Sequence, residues 1–205
     1  MNRICPSLAF PAPLVLLAAL AFVPRALTQT SQQGSVTIAR SAAPEKRLDF
    51  EVTVPADRAA VWEALSTSHG LTTWLWRDCS VDLRVGGEWL VKYPGGSTGG
   101  GTITAIAPLQ RLEIAAMAPE QFPTVRRERT RAVFELRATP DGKSTVVHLA
   151  QTGWKSGEEW DRAYDYLAGG NAELLENLRQ RFVSGPFDWD AIIKQAQQQA
   201  SSKKP

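Results

Sequence analysis

The sequence predicts an α+β fold in which a curved antiparallel β-sheet wraps around one long C-terminal α-helix, with two short helices after the first strand of the domain. Three observations carry that expectation. A strand and short helices read from Arg47 to Leu75, β-hairpins follow to Gln151, and one long amphipathic helix comes after Gly153-Trp154. A meandering sheet that returns to a single helix must bury the apolar stripe of that helix against its own concave face. Curling the sheet in this way leaves a cavity between the two.

Composition sets the bounds. With 205 residues, 43% hydrophobic and 21% charged, the chain suits one domain with a substantial core. The formal charge is +2, and without Arg3 and Arg25 there remain 21 Lys and Arg against 21 Asp and Glu. Phosphate neutralisation drives nucleic-acid binding and needs a basic excess, so nucleic acid is not an expected partner.

The first 28 residues read as an export signal, with Arg3 ahead of the apolar run Leu14 to Val23 and cleavage expected after Thr28. The run is short for a bilayer span, so no stable membrane insertion is expected once it is removed; an uncleaved anchor is the alternative. The protein is accordingly expected in the periplasm or secreted. Cys5 would leave with the signal, so Cys79 would be the sole mature cysteine and no internal disulfide could form. Residues 29–45, rich in Gln, Ser, Thr and Ala without a period, read as a flexible linker to a domain over residues 46–184.

The domain opens on the alternation Leu48, Phe50, Val52, Val54, a half-buried strand stopped by Pro55. Asp57 is placed to cap a helix carrying Val61, Trp62 and Leu65. A turn at Ser68-His69-Gly70 then leads to a second short helix with Leu71, Trp74 and Leu75. Cys79 to Val85 and Glu88 to Tyr93 form a hairpin about Gly86-Gly87, followed by a loop from Pro94 to Gly100. Two further strands flank Pro108, and Arg131 to Ala138 pairs with Ser144 to Ala150 across Pro140-Asp141-Gly142-Lys143, about seven strands in all.

The final helix starts at a capping box, Ser156-Gly157-Glu158-Glu159. Trp160, Tyr164, Leu167, Asn171, Leu174, Leu178 and Phe182 then follow three-and-four spacing, giving one stripe toward the sheet. Gly169-Gly170 would weaken it by about 1 kcal/mol per residue relative to Ala, which points to a kink, a close approach or a packing requirement. Residues 185–205 read as a partly disordered extension with a short helix on the body.

Several of these segments carry a resemblance. Glu51 to Leu65, then Trp74, then Val81-Asp82-Leu83-Arg84-Val85-Gly86-Gly87-Glu88-Trp89, then Gly153-Trp154 resemble the START-like (SRPBCC) superfamily. Within it they resemble the C-terminal domain of the activator of the heat-shock protein 90 ATPase. The resemblance runs from about Arg47 to Phe182 and implies a helix-grip (START/Bet v 1-like) fold with a hydrophobic cavity. Such proteins often carry Trp where this chain has Asn171, which implies a polar group facing the cavity. Export sets the chain apart from cytosolic relatives and is at odds with a co-chaperone role.

Catalytic chemistry is sparse. His69 sits in a turn and His148 on a strand, where a solvent-facing or sheet-bonded histidine is the plain reading. Two separate histidines and one cysteine make no ligand spacing, so neither a metal nor a cofactor is expected. The run Gly95 to Gly101 lacks the Lys-Ser or Lys-Thr of a phosphate loop and reads as a mobile rim. Cys79 follows Asp78, whose charge disfavours a thiolate, and reads as a small buried apolar residue. Arg126, Arg127, Arg129 and Arg131 either grip an anion from a strand face or solvate a sheet edge.

Seven tryptophans supply broad apolar walls with a polar edge, suited to an amphipathic small molecule. The expected ligand site is Trp74, Trp89, Trp160, Tyr164, Leu167 and Asn171, with Arg129 and Arg131 at the mouth. The leading expectation is an exported carrier of a small hydrophobic or amphipathic molecule without catalysis of its own. Two other classes stay open: a cyclase-like or hydrolase-like enzyme with His148, a Glu or a Tyr moving protons, and a module that binds a protein partner.

Overall fold

The computed structural model describes residues 28–202. The expected signal segment therefore lies outside the described residues, apart from Thr28. Among the described residues nine strands form one sheet: β1 (Thr28–Gln33), β2 (Val36–Ser41), β3 (Arg47–Val54), β4 (Cys79–Val81), β5 (Glu88–Lys92), β6 (Thr98–Ala107), β7 (Arg111–Met117), β8 (Thr130–Ala138) and β9 (Thr145–Thr152). The helices are α1 (Arg58–Ser66), α2 (Ser68–Thr72), α3 (Pro123–Glu128), α4 (Glu158–Ser184) and α5 (Trp189–Ser202). The strand order is β1-β2-β3-β9-β8-β7-β6-β5-β4, with neighbours antiparallel throughout. The long helix α4 grips the curved sheet, as the helix-grip expectation requires. No described helix is long and apolar enough to cross a membrane.

Period-two alternation decides the two faces of the sheet. On the inner face Ile38 lies opposite Phe50, Phe50 opposite Leu149, Leu149 opposite Phe134 and Phe134 opposite Leu112, an apolar row across five strands. On the outer face the row is charged: Glu51 opposite His148, and His148 opposite Glu135. Arg137 bonds Glu51 at 2.9 Å, and Arg131 grips Glu113 through both carboxylate oxygens at 2.7 Å. A register shift between Ile103 and Ala105 on β6 marks a bulge, which helps the sheet to curl.

The segment expected to be a linker is a hairpin. β1 exposes all six of its residues, so it shows no periodicity to betray it, but β2 drives Val36 and Ile38 into the core at 0% and 5% exposure. Polar contacts tie the hairpin to α4: Ser35 N–H donates to Glu176 at 3.0 Å, Arg40 meets Asp165 at 2.6 Å, and Lys46 pairs with Asp161. With β1 and β2 the sheet has nine strands instead of about seven.

Smaller differences have local causes. Ser68-His69-Gly70 opens α2 instead of making a turn, because Thr67 caps the Gly70 amide and a bare Gly70 lets α2 press on α1. A Cβ there would stand 2.2 Å from the Glu63 carbonyl oxygen. The first hairpin of the expected set ends its strand at Val81, and the chain crosses to β5 through residues 82–87. The glycine run is mostly strand, since β6 begins at Thr98; added Cβ atoms at Gly100 and Gly101 would meet the Trp89 and Ala115 carbonyl oxygens at 1.9 and 2.1 Å. The extension after Gly185 is the helix α5, seated at its start and exposed over most of its length.

Two measurements check this architecture. Ile38→Ala should cost on the order of 3 kcal/mol in urea unfolding, the loss expected for a truncated core side chain, whereas Gln32→Ala on exposed β1 should change stability by under about 0.5 kcal/mol. Equal, negligible effects would mean the hairpin does not belong to the folded core. The second concerns Glu113, whose carboxyl is held below the usual carboxylate range by its bonds to Arg131, with burial opposing. A depressed carboxyl stabilises the fold above its ordinary range and loses that contribution as pH falls through the folded value. Unfolding titrations should show Glu113→Gln less stable than the parent at neutral pH, the gap closing below about pH 4.

Candidate functional site

The site is built on the end of a helix. The last turn of α1 leaves carbonyl groups without intrahelical partners, and three side chains satisfy them. Thr67 Oγ1 donates to Glu63 O at 3.0 Å, Trp74 Nε1 to Ala64 O at 2.9 Å, and Trp89 Nε1 to Leu65 O at 2.8 Å. Trp74 is fully buried and belongs to this core. Trp89 spans two tasks, because its ring also faces Phe134, with centroids 6.4 Å apart, across an open space.

That space is a cavity of about 630 Å³ between α4 and the inner face of β5 to β9. Its sheet wall is Trp89, Val91, Ile114, Ala116, Ala132, Phe134 and Leu149. Its helix wall is Tyr166, Leu167, Gly170, Asn171, Glu173, Leu174 and Asn177. Trp76, Tyr93 and Trp189 form an aromatic rim, with Trp76 centred 6.2 Å from Tyr93 and 5.1 Å from Trp189. Leu75, Ser97 to Gly100, Met117, Pro119 and Glu120 contribute to the remaining border.

One polar chain crosses the apolar floor. Gln151, 3% exposed on β9, accepts a bond from Asn171 Nδ2 at 2.7 Å and donates to Thr130 Oγ1 at 2.7 Å, while its backbone carbonyl accepts from Trp154 Nε1 at 3.0 Å. Buried amides must be partnered, so this chain fixes the face that α4 presents. Tyr93 at the rim has its phenol pushed up, first by burial and then by Cys79, Tyr166 and Glu173.

Of the residues expected at the site, Trp89, Leu167 and Asn171 line this cavity together. Trp74 does not, for the reason above. Trp160 and Tyr164 pack edge-on around Trp154 at 6.4 and 5.1 Å, and the Tyr164 hydroxyl donates to Arg47 O, so they clamp α4 to β3. The arginines do not share a strand: Arg126 and Arg127 lie on α3, Arg129 ends it at φ 66, and only Arg131 lies on β8, next to its first residue. Arg126 donates to Thr98 O, Thr98 Oγ1 and Ala118 O, Arg131 is held by Glu113, and neither Arg129 nor Arg131 lines the cavity. Burial, then the charge of Arg126, pushes the Arg129 guanidinium down.

Trp76, Tyr93, Tyr166 and Trp189 were not in the expected site. A spacing signal existed for one of them: Tyr166, Gly170, Glu173 and Asn177 repeat at helical intervals beside Leu167, Asn171 and Leu174. The glycine pair does not break the helix. α4 runs unbroken over 27 residues, and a Cβ at Gly169 or Gly170 would meet nothing within 4 Å, so Gly170 simply widens the cavity. The capping box is also absent: Gly157 takes the N-cap, and Glu159 turns away to accept the Thr124 and Val125 amides at 2.6 and 3.1 Å, capping α3. Burial opposes, but those amides prevail and hold the Glu159 carboxyl below its usual range.

No candidate catalytic pair faces the cavity from the histidines. His148 lies on the outer face, 3.0 Å from Asp49 and 3.7 Å from Glu135. Among the described residues no group of three His, Cys, Asp or Glu could hold a metal ion.

The family model described as "Activator of Hsp90 ATPase homolog 1-like protein" matches residues 55–182, more than half of the chain. Solved structures share the fold. The Aha1 dimer from Colwellia psychrerythraea is 18% identical, covers 68% of this chain and 97% of its own, and superposes with a TM-score of 0.55. Protein MLL2253 from Mesorhizobium loti is 23% identical over 66% of this chain and 95% of its own, at a TM-score of 0.56. CalU16 from Micromonospora echinospora is 16% identical over 82% and 88%, at a TM-score of 0.51. A comparison with curated proteins finds no match. The family match excludes β1 to β3 and also α5, so the Trp189 side of the rim comes from outside it.

Cys79 stands near the rim as a thiol out of play. Burial chiefly, and Asp78 after it, push the thiol up to about 12, although its bond to the Trp76 carbonyl acts the other way. Only thiolate reacts at useful rates, so Cys79 in the native protein should resist iodoacetamide at pH 8 and label fully in denaturant, as read from the mass of its tryptic peptide.

Proposed function

The chain belongs to the family of Activator of Hsp90 ATPase homolog 1-like proteins, and from that premise we propose that it binds a small hydrophobic or amphipathic molecule in the cavity beneath α4. The observation that carries this reading is a cavity of about 630 Å³ with aromatic and aliphatic walls and one amide chain, Asn171 to Gln151 to Thr130, in its floor. Apolar walls supply the affinity, at about 25 cal/mol per Å² of ligand surface buried, and the few polar groups fix orientation. Asn171 is the side chain placed to exchange its bond with Gln151 for one to a ligand carbonyl or hydroxyl. We place the protein outside the cytoplasm, on the strength of the apolar N-terminal run. His148, on the outer face, gives no support to proton transfer within the cavity.

The test is native mass spectrometry of the protein from its host, before and after denaturing extraction. A stoichiometric small molecule is expected, and Leu167→Trp, which pushes a larger side chain into the cavity, should weaken its retention while leaving the fold intact. A molecule retained equally by Leu167→Trp would place the site elsewhere. Fractionation with N-terminal sequencing tests export: a mature start near Thr28 outside the cytoplasm is expected, and an intact Met1 in the cytosol would remove export from the reading.

A further inference from the structure

The charged lining of the cavity is of one sign. Among the residues that border it, Glu120 and Glu173 alone carry a charge, and no Lys, Arg or His does. Both glutamates are solvent-exposed, which puts them at the opening, and neither forms an ion pair with a described residue. Three aromatic side chains, Trp76, Tyr93 and Trp189, border the same cavity and pack on one another at tilted angles, 6.2 Å between the Trp76 and Tyr93 centroids and 5.1 Å between those of Trp76 and Trp189.

We propose that the ligand of this cavity is an organic cation, an amphipathic amine or quaternary ammonium whose apolar body lies against Phe134 and Leu174 and whose charged end sits at the aromatic rim between Glu120 and Glu173. This rests on the cavity being the binding site, as argued above, and names the class it takes. Ring faces attract a cation through their quadrupole, and the two carboxylates add to that attraction without needing to shed an existing partner. A carboxylate or phosphate ligand would meet like charge at the rim and find no cation in the lining. Arg126 bonds Thr98 and Ala118 and Arg77 pairs with Asp190 at 3.2 Å; neither of these, nor Arg129, whose Nη1 is buried without a partner, borders the cavity. The groups that Arg126 bonds are uncharged oxygens, two of them on the border residue Thr98, and Arg126 itself is not a border residue.

Three probes of matched chain decide the matter: octyltrimethylammonium, 1-octanol and octanoate, each titrated calorimetrically into the full chain. The expected order is ammonium, then alcohol, then carboxylate, with about tenfold between the first and last, given solvent screening at an exposed rim. The gap should narrow in salt, since the Debye length falls to about 3 Å at 1 M. The double variant Glu120→Gln with Glu173→Gln should bring the ammonium and the carboxylate within about threefold by the same screening argument. Equal affinities for all three probes in the parent would overturn the charge assignment and leave the cavity reading standing. An ammonium preference that survives the double variant would overturn it as well, by locating the recognition elsewhere. Failure of all three to bind would take down both readings together.

Discussion

One helix cannot cover nine strands. At about 4.8 Å per strand the sheet is roughly 40 Å wide, whereas a helix with its side chains spans about 10–12 Å. α4 packs on β3 and, to a lesser extent, on β2 and β1, and that leaves the inner face of the other strands to be covered in some other way. α1 and α2 cover part of it, meeting β8 and β4. Curling of the sheet, helped by the bulge on β6, brings the remainder over α4 with the cavity between them, bridged by the bond from Asn171 to Gln151 of β9. The cavity is what is left between a sheet that is too wide and a helix that is too narrow. Its size follows from that mismatch.

Such a space survives only if its walls are held from behind. The tryptophans do this by hydrogen bonding as much as by bulk. Trp74 and Trp89 each give an indole N–H to a carbonyl at the end of α1, so α1 stays docked and Trp89 is pinned as a wall. At the far end of α4 the knot of Trp154, Trp160 and Tyr164 ties the helix to β9 through Gln151 and to β3 through Arg47. The chain from Trp154 through Gln151 to Asn171 then runs from that knot into the cavity floor. Anchoring and floor therefore share one residue, Gln151.

Much of this was legible in sequence because it rests on periodicity. The strand from Arg47 to Val54 and the helix capped by Asp57 are where alternation and capping put them. The site was only partly legible, because one stripe on α4 was read where there are two. Ala163, Ala168 and Ala172, each 0% exposed, face the sheet and let the helix come close, while Tyr166, Leu167, Gly170 and Asn171 face the space beside it. Alanine carries little weight in a pattern of large apolar residues, so the two faces merged into one. The N-terminal hairpin was missed for the related reason that all six residues of β1 are exposed, so it carries no apolar alternation. Glu159 shows a further limit: a capping box is a local motif, and two amides of α3 competed for the same carboxylate and won.

The parts outside the family match hold α4 and close one side of the rim. The N-terminal segment extends the sheet on the α4 side and holds that helix from Ser35, Arg40 and Lys46 through Glu176, Asp165 and Asp161. On the other side Phe187 N–H donates to Thr73 O at 2.9 Å and Trp189 Nε1 to Thr72 O, which lays Trp189 against Trp76. Arg181 at the end of α4 meets the same Thr73 through its hydroxyl at 3.0 Å. The rim at Trp189 is thus secured by a few bonds to one short helix, while the floor is secured by the whole sheet. Local opening costs least where few buried contacts must be broken, so of the cavity's borders the Trp189 edge resists opening least. The exposed length of α5 beyond it buries little that would resist that movement.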